Sequence, residues 1–196
     1  MSLYTPNSFR WDDRAAVAAL IDAHPFALLL TVTDGCEPAV THLPLLRDGD
    51  CLVGHMARAN PHWQQFAAGR TLAVFQGPHA YVSPRWYVEP AEQVPTWNFA
   101  AVHLSGRIEV LTPTEAGEAV RVLTRRFDPG FVPAPGRVEQ LLGGIVAFRL
   151  HIERVEAKNK MNQNKTAADR AGVIAGLRAT GRPEDAAVAA WMQGHD

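Results

Sequence analysis

The chain has 196 residues, of which 47% are hydrophobic, and its formal net charge at pH 7 is -1. A chain of this length can bury one sizeable core, so we expect one main domain with at most a small addition. The balanced charge excludes a general attraction to nucleic acid or anionic membrane, and any binding to DNA would need a local basic patch.

The cysteine content and the N-terminus indicate the compartment. Cys36 and Cys51 lie in apolar, strand-like segments, and their spacing matches neither a disulfide framework nor a zinc site. The first residues lack the pattern of a signal peptide, and no apolar run reaches membrane-spanning length. We therefore expect a soluble, cytoplasmic protein.

The first third of the chain predicts a helix followed by strands. Residues 12–24 have carboxylates in the first turn and apolar residues at helical spacing, which predicts a short amphipathic helix. Two apolar runs, 26–33 and 38–46, flank Asp34-Gly35, which is typical of a hairpin turn. A further strand is predicted at 51–56.

The middle of the chain predicts a short helix and two strand segments. Asn60 followed by Pro61 is a typical helix start, because Asn caps free N–H groups and Pro fits the first helical position. We expect strands at 71–76 and 79–83, with Gly77-Pro78 breaking or bulging the extended pattern between them.

The remaining elements complete a β-rich pattern. A long strand is predicted from Trp97 to Leu111, a helix with a capping box from Thr112, and a last strand over 143–157. Six or seven strands with short connections and without repeated βαβ units predict a mainly β fold with helices, an antiparallel barrel.

The residues from Lys158 onward differ in composition. They begin with the polar, basic segment KNKMNQNK and continue with helical patterns around 167–178 and 183–192. We expect a barrel domain at 1–157 and a polar linker with a helical C-terminal appendage at 158–196. The two tail helices resemble a helix-turn-helix superficially, but the second lacks basic residues, which favours packing on the body or a partner.

Two segments are candidates for ligand binding. Arg58, next to a helix start capped by Asn60, indicates either an anion site or an ordinary capped helix with a solvated arginine. Gln76, His79, Trp97 and Asn98 combine flat surfaces with polar edges, which suits a planar heteroaromatic ligand but also an aromatic core or dimer interface.

Metal and nucleophile chemistry receive little support. The histidines match no HExxH or paired Cys/His spacing, and no GxSxG elbow is present. We therefore predict no metal site. The histidines considered as ligands are His42, His55, His62, His79 and His103.

Four segments carry a family resemblance. THLPLL, GHMARANPHW, VFQGPHAYVSPRWY and VPTWNFAAVHLSG are similar to the motif series of the PaiB-type FMN-binding negative transcriptional regulators. The resemblance runs from Tyr4 to the KMNQNK segment, in which Asn162 stands where the family more typically has Ser. It implies a pyridoxamine-phosphate-oxidase-like split barrel that binds FMN at a homodimer interface.

The resemblance also implies roles for particular residues. VFQGPHAYVSPRWY would line the flavin cleft, the Arg58–Asn60 corner would take the FMN phosphate, and Thr41 and His42 would meet the ribityl chain or the ring edge. The full set of expected cofactor-binding residues is Thr41, His42, His55, Met56, Arg58, Asn60, Gln76, His79, Trp97, Asn98 and Gln163.

The resemblance leaves two function classes open. The family name implies a transcriptional regulator, for which a neutral chain offers little DNA-binding surface. Related barrels are flavin-dependent oxidoreductases, which need an open face over the flavin ring and a path for an electron donor.

Overall fold

A computed structural model describes residues 3–35 and 37–194, so the expected strand position of Cys36 lies outside the described residues. The strands are β1 (Phe26–Val32), β2 (Ala39–Pro44), β3 (Leu46–Asp48), β4 (Cys51–Ala57), β5 (Arg70–Val82), β6 (Thr96–Val110) and β7 (Ile145–Lys160). The α-helices are α1 (Arg14–Ala23), α2 (Pro113–Phe127), α3 (Arg137–Leu141), α4 (Ala167–Ala179) and α5 (Pro183–Gly194).

The seven strands form one sheet in the order β2-β1-β5-β6-β7-β4-β3. The predicted hairpin is present: β1 and β2 pair antiparallel with Phe26 opposite Pro44, and Gly35 has a φ of 75°. Glycine is favoured at such a position because a side chain strains positive φ. Strand β4 pairs antiparallel with both β3 and β7.

The chain divides into two compact units, which we call unit 1 and unit 2. Unit 1 comprises the described residues up to Val17, Gln76–Val102 and those from Glu156 onward; unit 2 comprises Ala18–Phe75 and His103–Val155. Strands β5, β6 and β7 therefore each contribute residues to both units. Each unit has fully buried apolar side chains. In unit 1 these include Val82, Val102, Val173, Leu177 and Met192, and in unit 2 Leu29, Leu52, Phe75, Phe148 and Leu150.

Two local predictions need correction, and one helix was not predicted. Strand β5 runs unbroken through Gly77-Pro78, because pairing in the sheet outweighs the local breaking signal. The segment capped by Asn60 is a 3-10 helix, Pro61–Gln65, in which the Asn60 side chain accepts a hydrogen bond from the His62 amide. The sequence also missed α3, which begins after Gly136 in the left-handed conformation.

The tail forms the two predicted helices, α4 and α5, and both pack within unit 1. Val188 is fully buried, and the Trp191 ring meets the Trp11 ring edge to face at 5.8 Å. The Trp191 indole also donates to the Asn159 side chain at 3.1 Å. This is the packing expected for an apolar tail helix. The domain boundary between residues 157 and 158 stays a prediction.

Among the residues that the structure describes, none of the helices combines the length and apolar character needed to cross a membrane.

Candidate functional site

An aromatic face forms in unit 1 where β5 and β6 run side by side. The His79 and Trp97 rings are nearly parallel with centroids 6.4 Å apart, and Tyr81 meets Trp97 edge to face at 6.2 Å. Gln76 lies at the edge of this face, with its amide nitrogen 3.3 Å from His79 Nδ1. Trp97 is 53% exposed, so a large flat apolar surface with polar atoms beside it faces outward.

Asn98 does not belong to the aromatic face. Because side chains alternate along a strand, Asn98 points to the side opposite Trp97. It is fully buried, its Nδ2 donates to the Met192 sulfur at 3.4 Å, and its Oδ1 has no protein partner. Asn98 therefore lies against α5, apart from Gln76, His79 and Trp97.

Gln163 closes the turn that follows β7. Its Oε1 accepts from the Met161 amide at 2.7 Å, and its Nε2 donates to the Asn159 carbonyl. The preceding residue, Asn162, has a φ of 59° and donates to the Tyr87 hydroxyl at 2.7 Å. Asn tolerates the left-handed conformation better than most residues, which suits Asn at this position of KMNQNK.

A hydrogen-bonded chain of side chains lies in unit 2, which we call the His62 network. The Asn60 amide donates to Thr41 Oγ1 at 3.0 Å, and this hydroxyl lies 2.8 Å from His62 Nδ1. On its other side, His62 Nε2 lies 2.8 Å from Thr31 Oγ1, which in turn lies 2.8 Å from Thr71 Oγ1. The structure thus brings together Thr41 and Asn60, and it adds the buried His62, which contacts both of them.

The Arg58 side chain already has partners at the end of β4. Its Nε donates to the Gly143 carbonyl at 2.8 Å and one terminal nitrogen donates to the Ile145 carbonyl at 2.7 Å. The guanidinium is exposed and lies 6.0 Å from the Trp63 ring centroid. Carbonyls do not neutralise a cation, so Arg58 retains charge for an anion while it also holds the start of β7.

The other expected residues of unit 2 are dispersed. His42 is exposed on β2 and stacks against Phe26 at 6.3 Å, on the face opposite Thr41. Met56 is buried in the core. His55 is partly exposed, but its Nδ1 is buried without a protein partner, and desolvation lowers its pKa.

The His62 network predicts a pH-dependent contribution to stability. Burial lowers the pKa of His62 from its ordinary value of 6.5, so the unfolded chain binds more protons just below pH 6.5. The contribution of a neutral His62 is therefore complete above pH 6.5 and is lost as pH falls toward the lower folded pKa. We expect His62→Gln to reduce the loss of unfolding free energy between pH 7.5 and pH 5, measured by urea denaturation. An unchanged pH dependence in this variant would contradict the assignment.

Within residues 3–35 and 37–194, no group of three or more His, Cys, Asp and Glu side chains is arranged to hold a metal ion.

Comparison with known proteins identifies the family. Residues 3–154 match the family described as "Putative FMN-binding domain". The chain is also 32% identical to "Protease synthase and sporulation protein PAI 2" of Bacillus subtilis over 97% of both chains. The chain belongs to this FMN-binding family. FMN is its cofactor, and the resemblance to the PaiB type is confirmed.

Solved structures support the fold. The FAD and heme binding protein of Mycobacterium smegmatis matches with a TM-score of 0.66 at 22% identity, over 83% of this chain and 78% of that protein. The flavocytochrome Anf3 of Azotobacter vinelandii matches with a TM-score of 0.65 at 21% identity, over 78% of this chain and 69% of that protein. The predicted fold class, a mainly β split barrel with helices, is confirmed.

The aromatic face of unit 1 fits the chemistry of FMN. An isoalloxazine ring is flat and apolar on its faces and carries hydrogen-bonding atoms at its edge, and Trp97, His79 and Gln76 offer the complementary groups. The sequence analysis named these three residues, and the segment VFQGPHAYVSPRWY that it assigned to the flavin cleft also contains Tyr81, but it gave no role to Lys158 and Lys160 of β7. The signal available for the lysines was their alternate spacing in KNK, which places both on one strand face.

Proposed function

We propose that this chain is an FMN-dependent regulator of the PAI 2 type, active as a homodimer in the cytoplasm. The observation that carries the proposal is the similarity to the Bacillus subtilis protein over 97% of both chains, because it includes the tail beyond the flavin-binding family match. The name of that relative refers to protease synthase and sporulation. A regulatory role is therefore proposed here by family relationship.

In this proposal the flavin ring binds the aromatic face of unit 1. Trp97 contacts the ring, while His79 and Gln76 supply polar atoms to its edge. Bound FMN supplies a ring that exchanges electrons, which would let a regulator respond to redox state. Arg58, Thr41 and Asn60 of unit 2 remain proposed contacts of the phosphate and ribityl chain, together with His42, His55, Met56, Asn98 and Gln163 as further proposed contacts.

A homodimer is supported by apolar surface in unit 1. Trp97 is 53% exposed, Val94 is 77% exposed and Val88 is 67% exposed. Clusters of exposed apolar side chains commonly mark interfaces. A second copy of the chain that covers this surface would also exclude water from the flavin. Light scattering should then report twice the chain mass.

A second candidate is a flavin-dependent oxidoreductase, which the exposure of Trp97 and His79 favours. A flavin on this face would be reachable by a small electron donor. The formal net charge of -1 gives the chain no general attraction to DNA, and Arg47, Arg121 and Arg125 are each paired with a carboxylate.

One experiment separates the two candidates. The FMN-loaded protein is used to select from a pool of random duplex DNA at physiological salt, and the same sample is titrated with NADPH while its flavin absorbance is followed. Enrichment of one DNA sequence without flavin bleaching supports the regulator. Rapid bleaching without enrichment overturns it and supports the oxidoreductase. A purified protein that binds no FMN would contradict both.

A further inference from the structure

Two lysines of β7 lie in unit 1, and neither forms an ion pair with a carboxylate of residues 3–35 or 37–194. Lys158 is only 8% exposed, its Nζ donates to the Tyr4 carbonyl at 3.0 Å, and it lies 5.3 Å from the Tyr4 ring centroid. The Phe99 ring centroid is 5.2 Å from the same nitrogen. Among the residues that the structure describes, no carboxylate lies within ion-pair distance of this ammonium group.

Lys160 has the same kind of surroundings. Its Nζ donates to the Trp97 carbonyl at 2.8 Å and to the Thr96 hydroxyl, and it lies 6.0 Å from the Phe9 ring centroid. These partners are neutral, and again no carboxylate of the described residues pairs with it. Burial lowers the pKa of Lys160, and the charge of Lys158 lowers it further.

The two ammonium groups therefore influence each other across one strand face. A buried cation usually has a carboxylate or phosphate partner, because removal from water is costly and neutral acceptors repay only part of that cost. The next residue on this face, Glu156, accepts from the Leu3 amide at 3.3 Å.

Lys165 of the same unit shows the contrast. It also contacts an aromatic ring, Tyr87 at 5.3 Å, and donates to the Gln93 side chain at 2.7 Å. However, it lies near a carboxylate: the pKa of Asp169 is lowered by hydrogen bonds from Val88 and Thr166 and, to a smaller extent, by the charge of Lys165. The charge of Lys165 thus acts on a carboxylate without forming an ion pair with it, whereas the partners named above for Lys158 and Lys160 are neutral.

We infer that Lys158 and Lys160 form a binding site for a phosphate group. Lysine binds phosphate as a point charge with several donors, and each of these ammonium groups has donors beyond the contacts above. The phosphate comes either from FMN, in which case the inference rests on the proposed function, or from a free phosphate. Lys160 bonds to the backbone of Trp97, so this site is continuous with the aromatic face.

The test uses Lys160→Met, which keeps much of the side-chain volume, with Lys165→Met as the matched control. Apoprotein stability is measured against inorganic phosphate, with chloride at equal ionic strength as the reference. FMN and riboflavin affinities are measured by fluorescence quenching. We expect Lys160→Met to abolish the stabilisation by phosphate or to weaken FMN about ten-fold while riboflavin changes less than about two-fold. Lys165→Met should change neither.

The outcomes distinguish the two sources of the phosphate group, FMN and free phosphate. Loss of stabilisation by inorganic phosphate supports a free-phosphate site, whereas a loss specific to FMN supports binding of the nucleotide phosphate. If neither differs between the wild type and Lys160→Met, the inference is wrong. A second result would also overturn the inference. It would be found if Lys160→Met still binds FMN more tightly than riboflavin, Arg58→Ala does not, and Lys160→Met does not change the stabilisation by inorganic phosphate. The phosphate would then be assigned to Arg58.

A second measurement tests the inference on the wild type, in case Lys160→Met fails to fold. Wild-type protein is labelled with an amine-specific reagent, with and without phosphate or FMN, and the modified lysines are identified by mass spectrometry. Phosphate or FMN should protect Lys160 while Lys165 is labelled equally in all samples, and Lys158 is too buried to serve as a reporter. Labelling of Lys160 that neither phosphate nor FMN reduces would contradict the site. If FMN does not bind the wild type, the proposed function fails, while the inorganic-phosphate samples still test the inference.

Discussion

Replacing Gly172 by alanine should lower the free energy of unfolding by about 2–3 kcal/mol, because the added carbon has no room. A Cβ at Gly172 would lie 2.1 Å from the backbone oxygen of Trp86. Trp86 ends the short helix Pro84–Trp86, so its carbonyl cannot rotate away as a side chain can. The substitution would force α4 away and loosen the packing of Val173 and Leu177. Urea denaturation measures the difference.

Gly117→Ala provides the control, because it should not lower the free energy of unfolding. Gly117 lies inside α2, and the nearest atom to an added Cβ is the flexible end of Arg121 at 3.3 Å. Alanine favours a helix over glycine by up to about 1 kcal/mol, so Gly117→Ala should be neutral or stabilising. If Gly172→Ala were as well tolerated as Gly117→Ala, the close approach of α4 to Trp86 would be wrong.

The fold is predictable where local signals agree with packing. Asp34-Gly35 predicts the hairpin because the turn needs positive φ, and Thr112 with Glu115 predicts the start of α2 because their side chains cap its backbone. The unbroken strand β5 could not be predicted. Gly77-Pro78 is a local breaking signal, and pairing with strands distant in the sequence decides the outcome.

The candidate site is predictable in residue type and less so in arrangement. The composition of the β5 and β6 segments indicates a flat surface with polar edges, and Trp97 with His79 forms one. Strand alternation could have separated Asn98 from Trp97 before the structure was known. The bonds from Arg58 to Gly143 and Ile145 join residues more than 80 positions apart, so no local pattern predicts them.

Lys158 and Lys160 of β7 show a further limit of prediction from the sequence. Their alternate spacing predicts a shared face, but a lysine without a carboxylate partner is recognised only when all its neighbours are known. Lys158 and Lys165 both lie in polar-looking sequence, yet Lys165 has Asp169 nearby and Lys158 has aromatic rings and a carbonyl. Charge compensation is a property of the packed structure and cannot be read from the segment alone.

Trp97→Ala should weaken FMN and riboflavin equally, by roughly ten- to a hundred-fold. Stacking of a heteroaromatic ring on an aromatic side chain contributes about 1–3 kcal/mol, and this contribution does not depend on the phosphate. The cost to folding should be small, since Trp97 is 53% exposed and its main ring contacts are His79 and Tyr81. Fluorescence quenching gives the two affinities, and urea denaturation gives the stability.

Two further variants make the result specific to the aromatic face. Phe131→Ala removes an aromatic side chain of similar exposure, 54%, from unit 2 and should leave flavin affinity unchanged. Trp97→Phe keeps an aromatic surface and should recover part of the lost affinity, because stacking needs a flat ring and no indole hydrogen bond. Wild-type affinity in Trp97→Ala would exclude ring stacking at this position. A loss for FMN with none for riboflavin would mean that the Trp97 side chain supports the phosphate site, because the variant keeps the backbone carbonyl that Lys160 contacts, and that the flavin ring binds elsewhere.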